Sequence, residues 1–255
     1  MLNITTDLQG CAIVALDGKI GHVSDVLFDD ESWMVRWVVV TTGIWIPDRK
    51  VLLPTLVLGH LDTKKREFSV NLTKFQVKHS PDINSEKPVS RQMESDALDY
   101  YDWAPYWIGE GAFLGGEIRS AAKVEGSDDF DGEDSHLRSA YAVKGYHIQA
   151  NNGEIGHVQD FLMEDADWSL RYLVVETANW WPGKKTLISP HSVIGIDWSK
   201  SKISINVDRE QVKNSPPYDA ALKLDRAYTR KFDSYYADVL SGPLCSTPPP
   251  KIELP

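Results

Sequence analysis

Cysteine is scarce in this chain, with only Cys11 and Cys245. Neither has a CxxC partner or a neighbouring histidine. That argues against a disulfide framework or a thiolate zinc site and fits a reducing compartment. Positive charge is also short: 27 Lys and Arg against 37 Asp and Glu leave a net charge of -10. Nucleic-acid binding leaves a basic footprint, so no nucleic-acid partner is expected. No apolar run approaches the roughly 20 residues that span a bilayer. The opening residues, MLNITTDLQG, offer neither the charged start nor the apolar core of a signal peptide, and the expected location is the cytoplasm. Catalytic signatures are missing as well. There is no GxxxxGK loop and no GxSxG elbow, and no Ser–His–Asp order suggests a nucleophile. The expectation is a protein that is not an enzyme and carries no cofactor and no metal.

What the chain does have is a repeat. Residues 18–42, GKIGHVSDVLFDDESWMVRWVVVTT, return 135 positions later as residues 153–177, GEIGHVQDFLMEDADWSLRYLVVET, with 13 of 25 aligned positions identical. A period this long means two copies of a small domain rather than a solenoid. In the first copy Cys11–Ala15 reads as a strand and Asp17-Gly18 as a hairpin turn. Ile20–Phe28 is a second strand. Met34–Thr41 contains VRWVVVT, β-branched and almost continuously apolar, as in a strand buried on both faces. Lys50–Leu53 and Glu67–Leu72 follow as strands, with a turn or short helix in the PTLVLGHLD segment between them. TKFQVKHSP, residues 73–81, reads as a single helical turn halted before proline, and its counterpart DREQVKNSP has Asp208 as N-cap.

Beyond each β-unit the repeat continues. Met93, Ala97, Tyr100 and Tyr101 align with Tyr228, Phe232, Tyr235 and Tyr236, and their spacing puts each set on one face of a helix. Residues 111–139 are aperiodic and rich in Gly, Ser and acid, as a solvated linker is. The DDFDGED within them has the wrong glycine and glutamate spacing for a calcium loop. The Pro-rich residues 241–255 read as an extended tail. The expected divisions are a domain at 1–81, a trailing helix and aromatic segment at 82–110, the linker at 111–139, a second domain at 140–216, its trailing helix at 217–240, and the tail. Two copies in one chain suggest an intramolecular pseudo-dimer, and a homo-oligomer stays open.

Three constellations compete as sites. His22 with Asp25, repeated as His157 with Asp160, has the residue types of a base and its orienter, or of half a metal site. On a regular strand i and i+3 face opposite sides, so only a bulge would bring such a pair together. A small-ligand or metal sensor using His22 and His157 is the alternative functional reading. Trp33 and Arg36, repeated as Trp168 and Arg171, form a WxxR motif at the start of the third strand. There the tryptophan is expected to cap the core and the arginine to pair with a carboxylate such as Asp25 or Asp30. The loops IWIPDRK (44–50) and NWWPGKK (179–185) set Trp45, Trp180 and Trp181 beside Arg49, Lys50, Lys184 and Lys185. Aromatic plus basic side chains on a loop suit a protein partner, and these seven are the candidate partner-binding residues. Folding back to cover the barrel mouth is their other reading.

The five strands, the Asp-Gly turn, the IGxVxD segment, the VVV strand, KVLLP and TKFQVKHSP together resemble the PRC-barrel family, in two tandem copies. The matching residues are Gly18, Ile20, Gly21, Val23, Asp25, Leu52, Pro54, Val77 and Pro81, then Gly153, Ile155, Gly156, Val158, Asp160, Leu187, Pro190, Val212 and Pro216. The family is named for the cytoplasmic domain of the photosynthetic reaction-centre H subunit and includes the C-terminal domain of a ribosome maturation factor. The likeness is greatest to stand-alone bacterial proteins with two such domains. It implies a mainly β fold: two small antiparallel PRC-type β-barrels in tandem, each followed by a short amphipathic helix. It also implies a non-enzymatic interaction or scaffold module, assisting assembly of a larger complex with a protein partner. The transmembrane helix of the H subunit and the first domain of the maturation factor are not matched, so neither specific role transfers.

Overall fold

The computed structural model describes residues 2–43, 49–81, 91–103, 136–177, 184–218 and 226–241. Strand β1 (Leu2–Ile4) and helix α1 (Thr5–Leu8) open the chain. Then come β2 (Ala12–Ala15), β3 (Gly18–Asp29), β4 (Val35–Thr41), β5 (Lys50–Pro54), a 3-10 turn at Thr55–Val57, β6 (Leu58–Asp62), β7 (Glu67–Val70), α2 (Lys74–His79) and α3 (Arg91–Tyr101). The second repeat runs β8 (Leu137–Ser139), β9 (His147–Ala150), β10 (Gly153–Glu164), β11 (Leu170–Glu176), β12 (Lys185–Ile188), a 3-10 turn at Pro190–Ser192, β13 (Val193–Asp197), β14 (Lys202–Ile205), α4 (Arg209–Asn214) and α5 (Arg226–Ser241). The chain divides into two compact units. One is Leu8–Ser139; the other joins Met1–Asp7 to Ala140–Pro255.

Each unit holds one seven-stranded sheet. In the first the order is β5-β4-β3-β2-β7-β6, with β8 also paired to β3. In the second it is β12-β11-β10-β9-β14-β13, with β1 also paired to β10. The expected mainly β tandem is found, but the expected antiparallel barrels are corrected in two respects. The sheets are mixed, because β2–β7 and β9–β14 are parallel pairs. They are also not closed. The physical reason is the 3-10 turn, which bends the chain without reversing it. β6 leaves in the sense of β5, and β7 then returns alongside β2 in the same direction. β5 and β6 are left as the two ends of the sheet. Extended Pro54 leads into this corner in the first repeat, and Pro190 is its first residue in the second; proline cannot donate to a continuing ladder.

β4 is buried along nearly its whole length. Alternate residues of a strand face opposite sides. Val38 and Val40 lie on one face, while Trp37 and Val39 on the other join Leu27, Leu52, Ala97, Leu98 and Leu137 in a cluster that Met93 and Trp103 border. α3 is therefore the cover of the outer face. Burying a side chain such as Leu98 there contributes about 2 kcal/mol. The short helices α2 and α4 each start with a capping box, Thr73 with Gln76 and Asp208 with Gln211, satisfying backbone N–H groups that a first turn leaves free.

β3 and β10 are bulged at matching places, between Val23 and Asp25 and between Val158 and Asp160. Just before each bulge, Gly21 and Gly156 pass so close to the next strand that an added Cβ would lie 2.0 Å from the Thr41 carbonyl oxygen and 1.9 Å from that of Glu176. Close approach, not a phosphate loop, accounts for these glycines.

The leaders β1 and β8 each belong to the sheet of the other repeat. Leu2, Asn3 and Ile4 pair with Glu164, Met163 and Leu162. Leu137, Arg138 and Ser139, the last residues of the stretch read as linker, pair with Asp29, Phe28 and Leu27. Shifting the first set by the repeat period of 135 gives the second set, residue for residue. Among the described residues no helix is long and apolar enough to cross a membrane.

Candidate functional site

The bulge needed to put His22 and Asp25 on one side is present, but the carboxylates are engaged elsewhere. Asp160 is buried and accepts from the Thr5 hydroxyl (2.6 Å), the Thr6 hydroxyl and the Phe161 amide (2.9 Å), with Lys144 at 3.4 Å. It anchors the leader β1. Asp25 accepts from the Val26 amide at 2.7 Å. His157 Nε2 lies 3.6 Å from Glu176 Oε2, on its cross-strand partner. His22 has Thr41 at the same register and is exposed. Among the described residues no three His, Cys, Asp or Glu side chains converge on one point.

The WxxR motifs shape turns and hold helices. Arg36 lies 3.9 Å from Asp29 and donates to the Ser32 hydroxyl at 3.2 Å, while Arg171 reaches Asp233 on α5 at 3.6 Å. Asp30 accepts from Arg138 Nε at 2.9 Å, fixing the leader β8. Trp33 and Trp168 both take left-handed φ values, 56° and 61°, a conformation that costs a bulky residue about 1–2 kcal/mol. Their amides donate to Asp29 and Glu164 carbonyls at 2.8 and 2.9 Å, which closes the turn, and the Trp33 ring stacks on Phe28 at 5.4 Å.

Of the loop candidates, Trp45, Trp180 and Trp181 lie outside the described residues. The Arg49 guanidinium donates to the backbone carbonyls of Lys78 and Ser80, at the end of α2. It ties that helix to the start of β5. Lys50 is half-buried; Lys184 and Lys185 are exposed. Both loops close alike at their base, where the Thr42 and Thr177 hydroxyls donate to the Arg49 and Lys184 carbonyls at 3.0 and 2.8 Å. That shared bond explains why threonine recurs there.

Tyrosine hydroxyls fix the trailing helices. Tyr100 and its repeat partner Tyr235 donate to the carbonyls of Gln76 and Gln211 at 2.8 and 2.5 Å. Tyr236 donates to the Leu187 carbonyl at 2.7 Å, and burial raises its pKa well above the ordinary tyrosine value. Its partner Tyr101 makes no such bond; burial pushes its pKa up to about 12, with Ser80 pulling slightly the other way. Tyr172 is raised further, by burial first and then by its hydrogen bond to Asp233.

One surface feature was announced by no motif. Leu16, Leu56 and Phe75 of the first repeat are 69%, 80% and 70% exposed. At the aligned positions the second repeat carries Asn151, His191 and Glu210. The Leu16 amide donates to the Leu72 carbonyl at 2.9 Å. Leu72 and Leu56 line an open cleft of about 560 Å³, together with Gln76, Tyr101 and Trp103. Phe75 adjoins Gln76 on α2, and the Tyr101 and Trp103 rings stack at 4.4 Å along the cleft. Two copies of one fold thus differ in apolarity at the same surface points, so the exposure is not dictated by the fold. Exposed apolar side chains in the repeat that also holds an aromatic-lined cleft are a candidate binding surface. Setting the aligned repeats side by side is the sequence signal that finds them.

Among known proteins, residues 5–77 match the PRC-barrel domain family. An uncharacterised protein of Deinococcus radiodurans is 33% identical over 85 residues, which cover 33% of this chain and 30% of the relative. The match therefore spans about a third of that relative's length.

Proposed function

We propose that this chain, which carries a PRC-barrel domain at residues 5–77 and repeats the same sheet order in its second half, is a non-enzymatic protein-interaction or scaffold module supporting the assembly of a larger complex. The observation that carries this reading is the exposed set Leu16, Leu56 and Phe75 beside the aromatic cleft, polar in the other repeat. A fully buried side chain of this kind gains about 1.5–3 kcal/mol over an exposed one. Covering such side chains is a driving force for a partner that offers apolar side chains of its own.

The test uses the internal copy as its own control. Leu16→Asn, Leu56→His and Phe75→Glu are combined, each new residue being the one the second repeat holds at that place. The fold is expected to survive. Affinity purification of both forms from the native cell, with mass spectrometry, should show proteins enriched by the wild type and lost from the triple variant. Recovery of the same set by both forms would overturn the assignment of this face.

A further inference from the structure

We propose that the exchanged leader strands are an interaction site for a second copy of this chain, which completes each sheet in trans as it is completed in cis. The proposal is independent of the apolar face described above. It starts from register. Leu2 opposes Glu164 and Leu137 opposes Asp29, and the two pairings superimpose under the 135-residue shift. Each is only three residues long, so the strand edge of β3 or β10 that receives it presents backbone groups that an equivalent strand from any copy satisfies equally.

The anchors behave in the same way. Asp160 takes the hydroxyls of Thr5 and Thr6 and the ammonium of Lys144. Asp30 takes the Arg138 guanidinium and lies 3.4 Å from His136. In both places the receiving carboxylate belongs to one repeat, and the leader it holds belongs to the other. None of these contacts depends on which molecule supplies the leader. What favours the cis form is the covalent connection through residues 104–135. Joining two interacting segments in one chain sets an effective concentration on the order of millimolar. The monomer therefore dominates at micromolar concentration, and exchange with a second copy grows when the chain folds at concentrations nearing that value or when the tether is cut. Strand exchange between identical elements is a low-cost route to dimers.

The experiment uses the full chain carrying Leu2→Cys and Glu164→Cys, which stand directly opposite in register, with Cys245→Ser to remove the tail thiol. The protein is unfolded, refolded at micromolar and at several hundred micromolar concentration, and oxidised. The expected result is an intrachain disulfide in the dilute sample and a growing fraction of dimer linked between residues 2 and 164 in the concentrated one. A concentrated sample that stays monomeric, or dimers not linked through this pair, would overturn the proposal. Should the cysteine variant fail to fold, a second form decides: the full chain with a protease site placed within residues 111–135. After cleavage the two fragments should co-elute. After joint refolding of tagged and untagged cleaved protein, tagged first fragments should retrieve untagged second fragments. Fragments that separate on cleavage would equally contradict it.

Discussion

The indole of Trp37 donates to the Glu94 carboxylate at 2.6 Å, within the cluster that seats α3 against β4. In the second repeat Tyr172 stands in the place of Trp37 and donates at 2.5 Å to Asp233. The position aligned with Glu94 is Thr229, whose backbone carbonyl lies 3.2 Å from the Tyr172 hydroxyl, so the carboxylate acceptor has moved one helical turn along α5 to meet a different donor. Two solutions to one docking problem show that a polar pin inside the apolar contact is part of how each trailing helix is held.

Replacing Trp37 with Phe removes that donor from a buried carboxylate and leaves a small cavity. The expected loss is about 2–4 kcal/mol in urea or thermal unfolding. Glu94→Gln keeps an acceptor for the indole and should cost clearly less. Equal losses for the two variants would mean that the pin contributes little beyond packing.

Alkaline pH should destabilise this protein. Tyr101, Tyr172 and Tyr236 all have folded pKa values raised above the ordinary 10.0. A group that holds its proton more tightly when folded contributes its full stability below the unfolded pKa and loses it as pH rises beyond. Stability should therefore fall from about pH 10 upward. In an ultraviolet titration Tyr101 should ionise near 12, with Tyr172 and Tyr236 later still. Tyr172→Phe should reduce the alkaline loss; an unchanged pH profile in that variant would count against its share.

Gly21→Ala and Gly156→Ala should each destabilise their unit by about 3 kcal/mol or more, since the added methyl would meet a carbonyl oxygen of the adjoining strand. Circular dichroism melts of the two variants measure this. Gly43→Ala, at a site with open space but left-handed φ, should cost only about 1 kcal/mol.

The β-elements were legible where local chemistry is strong. Asp17-Gly18, the valines of β4 and the Asp208 cap announced themselves from residue type alone. Others depend on distant partners. β6 has a mostly exposed LGHLD sequence, with no alternating apolar face to mark a strand. The parallel pairing of β2 with β7 follows from a corner that does not reverse the chain, and no short window of sequence contains that. β1 and β8 are too brief for periodicity, and their pairing is set by residues more than a hundred positions away. For the site, sequence motifs pointed to tryptophan and lysine loops and to His–Asp pairs. Leu16, Leu56 and Phe75 look like ordinary core residues until burial separates them from their polar counterparts.

Asp160→Ala should loosen the leader β1. It leaves Lys144 and two threonine hydroxyls without their shared acceptor, at an expected cost of about 3 kcal/mol. Amide hydrogen exchange should accelerate at residues 162–164, where β1 pairs, more than at residues 203–205 of β14, two strands away from β10. Uniform acceleration would indicate global destabilisation instead of a freed strand.

The most direct measurement of the functional claim is side-chain oxidation footprinting of Leu56 and Phe75, in the native cell and in the purified protein. Exposed Ile194 of the second repeat serves as reference. If the first-repeat face is a docking surface, Leu56 and Phe75 should oxidise severalfold less in the cell than when purified, while Ile194 changes little. Equal oxidation of Leu56 and Phe75 in the two settings would contradict the account.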